Sequence, residues 1–109
     1  MDAPNICVTS NPVEAVAGAD VVNTDVWLSM GQEGQSAKEA QFKSYQVNSE
    51  LLAAASEGHI VLHCLPAYRG KEISEDVLEK HSETIFQQAE NRLHVQKGIM
   101  ARMAKHRVL

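Results

Sequence analysis

Along the chain, short apolar runs alternate with stretches of helical spacing. "NICVTS" at 5–10 and "DVVNTDVW" at 20–27 have the β-branched content of strands. Between them "NPVEAVAGA" at 11–19 predicts a helix. Asn11 can cap it, Pro12 suits the first turn and Gly18 ends it. The polar stretch at 29–45 carries two glycines and predicts a surface loop leading into helical turns. "NSELLAAAS" at 48–56 predicts a short helix capped by Asn48 or Ser49. "HIVLHCL" at 59–65 predicts a third strand. "SEDVLEKH" at 74–81 predicts a helix capped by Ser74. "ETIFQQA" at 83–89 reads as a short strand or extended segment, and 89–107 as a closing helix. Leu93, Ile99, Met100 and Met103 are the apolar stripe of that helix. Strand alternating with helix is the signature of a parallel α/β sheet, whose ligands bind beyond the carboxyl ends of the strands.

Composition narrows the classes. With 109 residues, 44% of them hydrophobic, the chain is one small domain or part of a larger one. A net charge of -4 argues against a nucleic-acid binder. Its cationic cluster, Arg102, Lys105, His106 and Arg107, suits a helix C-terminus. No apolar run is long enough for a membrane span, and the first residues lack the pattern of a secretory leader. Two cysteines far apart argue against a disulfide framework and for a reducing, cytoplasmic compartment. The five histidines form no metal-ligand spacing, so no metal is expected.

Three polar clusters follow strand ends or connections. In "TDVWLSMG" at 24–31, Asp25 can hold a substrate amine, and Ser29-Met30-Gly31 offers a hydroxyl and backbone N–H groups. The alternative is a turn or helix cap. In "HCLP" at 63–66, His63 and Cys64 fit an activated thiol, or else a buried cysteine beside a hydrogen-bonded core histidine. Leu65-Pro66 is a candidate cis peptide. In "QAENRLHVQK" at 88–97, Glu90, Asn91 and Arg92 fall at the predicted start of the closing helix. Arg92 gains nothing from the helix dipole there, which points to a ligand or ion-pair role; the alternative is a solvated first turn with Glu90 favourable to the dipole. No glycine-rich phosphate loop is present.

In order and spacing, "DVWLSMGQE", "YQVNSELL", "HCLPAYRG" and "AENRLHVQK" resemble the C-terminal, ornithine-binding part of the ornithine carbamoyltransferases, from about Asn5 to Met103. The resemblance implies a truncated Rossmann-like parallel sheet of about 3–4 short strands with flanking helices. It implies carbamoyl transfer from carbamoyl phosphate to ornithine, giving citrulline and phosphate, with no cofactor and no metal. Asp25, Ser29, Met30, Cys64 and Leu65 would hold ornithine; His63, Cys64, Leu65 and Arg92 would face carbamoyl phosphate. Cys64, His63 and Asp25 would be the catalytic group, with a Cys64 thiolate beside the amine. Tyr68 stands where the family motif often has histidine. The family's N-terminal carbamoyl-phosphate-binding domain is not contained in residues 1–109, so this chain alone is expected to be inactive. A homo-oligomer is implied (the family trimer), and strands without partners favour a swapped association. Two alternatives stand beside this one: another carbamoyltransferase, acting on putrescine or acetylornithine, and a non-catalytic small-molecule-binding or interaction module.

Overall fold

A computed structural model of the chain describes residues 5–28 and 36–106. The first helix, α1 (Pro12–Val16), starts where the sequence places it. The Asn11 side chain accepts the N–H groups of Val13 and Glu14, satisfying two donors that the helix cannot. Gly18, at φ 68°, makes the turn that follows, and its N–H bonds the Ala54 carbonyl at 2.8 Å. The strands β1 (Val21–Thr24) and β2 (Ile60–His63) form a two-stranded parallel sheet. Val21 lies opposite Ile60 and Thr24 opposite His63.

The α/β class holds, with two strands among the described residues where three to four are expected. Residues 5–10 are not a strand: Ile6 and Val8 are 73% and 92% exposed, and their backbone joins no ladder. Strand propensity reflects fit to a paired, half-buried surface, and β1 and β2 pair with each other instead.

Between the strands lie α2 (Ser36–Phe42), a 3-10 turn (Lys43–Tyr45) and α3 (Ser49–Leu52), which Asn48 caps by accepting the Leu51 N–H at 2.9 Å. After β2 come α4 (Glu75–Lys80) and α5 (Ser82–Lys105). Ser74 stands at the N-cap of α4, but its hydroxyl makes no capping bond. The predicted extended segment at 83–89 is instead the start of α5. Ile85 there is fully buried while neighbouring Phe86 is 60% exposed. One inward residue per turn is a helical requirement that a seven-residue window does not separate from period two.

The core gathers Val16, Val22, Val47, Leu52, Val61, Ile73, Val77, Leu78 and Ile85. Complete burial of Val61, Ile73 and Ile85 contributes about 1.5–3 kcal/mol each. A bridge between Val47 and Ile73 ties the approach to α3 onto the loop after β2. Gln46 strengthens it by donating to the carbonyls of Gly70 and Lys71. Leu93, Ile99 and Met100 are exposed, so the distal apolar stripe of α5 lies outside this core. No helix among the described residues is long and apolar enough to cross a membrane.

Candidate active site

Strand register builds the site. Because Thr24 and His63 are partners at the carboxyl ends of β1 and β2, the next residues, Asp25 and Cys64, leave the sheet together. The Cys64 thiol donates to the Asp25 carboxylate, with Sγ 3.2 Å from Oδ1. The Val26 N–H donates to the same oxygen at 2.7 Å. Asp25 is exposed and Cys64 half-buried, so the pair faces outward.

These bonds set the charges. The thiol and then the Val26 N–H hold the Asp25 carboxyl below its ordinary 3.8. The bond to Asp25, burial and the Asp25 charge together push the Cys64 thiol above its ordinary 9.0, with Arg92 pulling weakly the other way. The expected thiolate is therefore corrected: Cys64 is a neutral thiol near pH 7, because the neighbouring anion is its acceptor.

His63 is fully buried. Its Nδ1 accepts the Leu65 N–H at 2.9 Å, so Nδ1 carries no proton. Its Nε2 lies 2.9 Å from Oε1 of Glu72, which leaves a neutral ring donating from Nε2. The same Glu72 oxygen accepts the Tyr68 N–H at 2.8 Å. The backbone N–H of His63 is taken by the Gln88 side chain at 2.9 Å. Both ring nitrogens are thus engaged inside the chain, on the core side of the turn that presents Cys64.

The turn itself is bent hard. Leu65 has φ 57°, a left-handed conformation costing about 1–2 kcal/mol for a side-chain-bearing residue. The Leu65-Pro66 bond is cis, as the sequence suggests. Gly70, at φ 80°, closes the loop, where its N–H bonds the Ile73 carbonyl. Tyr68 is 48% exposed, serves the loop through its backbone N–H, and has the Lys71 ammonium 5.5 Å from its ring centroid.

Arg92 lies in the interior of α5, because the helix starts at Ser82 and not near residue 89. The helix dipole at an N-terminus therefore has no bearing on Arg92. What remains is position: Arg92 is exposed, one turn beyond Gln88, and within electrostatic reach of Cys64. A shallow groove of about 310 Å³ lies beside it, lined by Gln88, Asn91, Arg92, Val95 and Gln96. Ser29 and Met30 lie outside the described residues.

Ligand atoms of Asp25, His63 and Cys64 all lie within 4.8 Å of one another, a donor set that suits a borderline metal ion. A metal there would have to displace the thiol proton from Asp25 and the Leu65 N–H from His63. The sequence reading missed Glu72 and Gln88. Each is a single polar residue in a polar stretch, and its inward direction is set by tertiary packing.

The family described as aspartate/ornithine carbamoyltransferase, Asp/Orn binding domain, matches residues 2–103. The chain belongs to this family. It is 59% identical over 108 residues to the ornithine carbamoyltransferase of Akkermansia muciniphila, covering 98% of this chain and 35% of that protein. Among solved structures, the anabolic ornithine carbamoyltransferase of Campylobacter jejuni superposes with a TM-score of 0.82 at 41% identity, covering 87% of this chain and 32% of that one. The ornithine carbamoyltransferase of Pyrococcus furiosus gives 0.75 at 46% identity, covering 84% and 29%. The chain thus spans about a third of the length of the curated relatives it matches.

Proposed function

We propose that this chain supplies the ornithine side of a carbamoyltransferase site. The observation that carries the reading is the 3.2 Å contact between Cys64 and Asp25, which strand register brings together across 39 residues. Asp25, with Ser29 and Met30, holds the amino acid. Asp25, Cys64 and the Leu65 carbonyl surround its side-chain amine. Arg92, Cys64 and the His63–Leu65 turn face carbamoyl phosphate.

The chemistry asks for these types. A side-chain amine with a pKa of about 10.4 arrives as an ammonium ion and must lose a proton before it attacks. The Asp25 carboxylate binds the ammonium, while a neutral thiol adds no second anion to hold the proton in place. The amine nitrogen then bonds to the carbamoyl carbon as the carbon–oxygen bond to phosphate breaks. The surplus proton leaves with the phosphate. Arg92 offsets charge developing on the carbamoyl and phosphate oxygens. His63 acts as a positioning residue: with Glu72 it fixes the turn that aims Cys64 and the Leu65 carbonyl.

Phosphate binding falls to an N-terminal domain in the remaining two-thirds of a family-length protein. The same resemblance supports a homo-oligomer in a reducing cytoplasm, with no cofactor or metal. A chimera in which this chain replaces the matching third of the Akkermansia muciniphila enzyme tests the reading by citrulline assay. The chimera turns over; Asp25→Ala, Cys64→Ala and Arg92→Ala in it do not; the chain alone is inactive. Normal turnover in all three variants would refute these assignments.

A further inference from the structure

Two imidazoles meet at the start of α5. His59 lies in the turn entering β2, and His81 at the joint where α4 ends and α5 begins. Their ring centroids are 5.5 Å apart and the planes tilt by 34°. His59 Nδ1 lies 2.8 Å from the Ser56 carbonyl oxygen. A carbonyl can only accept, so Nδ1 holds the proton and Nε2 of the neutral ring is a bare lone pair. That Nε2 is buried without a partner, and so is Nε2 of His81.

Nothing nearby welcomes a cation. Among the described residues, neither ring lies within ion-pair distance of a carboxylate. The acids around the joint are Asp20 before β1, whose carboxylate takes the Ser56 hydroxyl at 2.7 Å, Glu57 from the turn, Glu79 from α4 and Glu83 from α5, all exposed. Glu79 is engaged by Arg69. Lys80 of α4, adjacent to His81, adds a positive charge.

The joint is mechanically connected to the site. Residues 81, 85, 88 and 92 follow helical spacing, one turn apart. Ile85 is fully buried in the core, Gln88 accepts the His63 N–H, and Arg92 follows on the same face.

We propose that His59 and His81 form an acid-sensitive latch that seats the first turn of α5 beside β2 and thereby sets where Gln88 and Arg92 stand. A proton on either ring places a cation against the other ring and Lys80, in a half-buried joint with no carboxylate within ion-pair distance. His81 is held below its ordinary 6.5, by burial first and then by His59 and Lys80. The unfolded chain then binds more protons than the folded one as pH falls through 6.5. The latch contributes its full stability above that value and loses it as pH drops towards the lowered one.

The test is done on the full chain. Long-range imidazole nitrogen spectra follow both rings from about pH 7.5 to about pH 5. Thermal unfolding and His63 amide protection are read over the same range. His81 titrates below 6.5, and His59 shows its proton on Nδ1. The unmodified chain loses several degrees of Tm on acidification that His81→Gln keeps, and the His63 amide loses protection in step. A His81 titration at or above 6.5 overturns the latch. So does an equal acid loss in His81→Gln. Unchanged His63 protection overturns the link to the site. Should His81→Gln fail to fold, the titration of the unmodified chain decides alone.

Discussion

The two ends of β2 use histidine in opposite ways. At its carboxyl end, His63 is fully buried with both ring nitrogens bonded, to the Leu65 N–H and to Glu72. At its amino end, His59 is half-buried and faces His81, and the Nε2 of each has no partner. Three strand residues, Ile60 to Leu62, separate a saturated imidazole from an unsaturated one. Burial therefore does not decide what a histidine does; the partners do. A satisfied ring is a rigid part that holds the strained Leu65 turn in place. An unsatisfied ring is a place where one added proton changes the balance.

The largest effect is expected from stripping the satisfied ring. Glu72→Ala leaves the buried His63 Nε2–H and the part-buried Tyr68 N–H without their acceptor. It should cost about 2–4 kcal/mol by urea unfolding, whereas Glu72→Gln keeps one accepting oxygen and should cost less. A loss below about 1 kcal/mol for Glu72→Ala would erase the distinction between the two ends of β2.

Next comes the unsatisfied pair. His81→Gln should flatten the fall in Tm below pH 6.5, since it removes a group that folding holds in its uncharged form. Chevron or equilibrium data at high pH should show little difference between the two chains.

A smaller effect sits outside the core, at the partnered thiol. Asp25→Ala, in a Cys7→Ser background, removes the largest cause that raises the Cys64 pKa together with the Asp25 charge, leaving only burial to raise it. The pH profile of alkylation by iodoacetamide should then move to lower pH. A profile that stays in place would mean that the Asp25 bond does not govern the thiol.

The smallest effect is expected where polar groups meet in water. Arg69 pairs with Glu75 and Glu79, and all three are more than half exposed. Arg69→Ala should leave the denaturation midpoint within error, because solvent screens such pairs.

Much of this was legible in the chain. Asn11 and Asn48 announce their helices because a cap is a local bond between a side chain and backbone two or three residues on. Asp25 and Cys64 stand out because each ends an apolar run, and parallel strands place such ends side by side. The failures share one cause. Residues 5–10 look like a strand but have no ladder, and 83–89 looks extended but begins a helix of 24 residues. In both, what decides the element is pairing or packing that a short window of sequence does not contain.

By itself the sequence determined the α/β class, the Asn11 and Asn48 caps, the bend at Leu65-Pro66 and the three clusters that identify the family, since these rest on local stereochemistry and on motif spacing. Only the tertiary structure decided that Cys64 is a donor to Asp25, that His63 turns inward to Glu72 and Gln88, and that His59 and His81 meet without partners. A side chain's charge and role depend on what lies within about 3–6 Å of it, and those neighbours come from segments that the fold alone brings together.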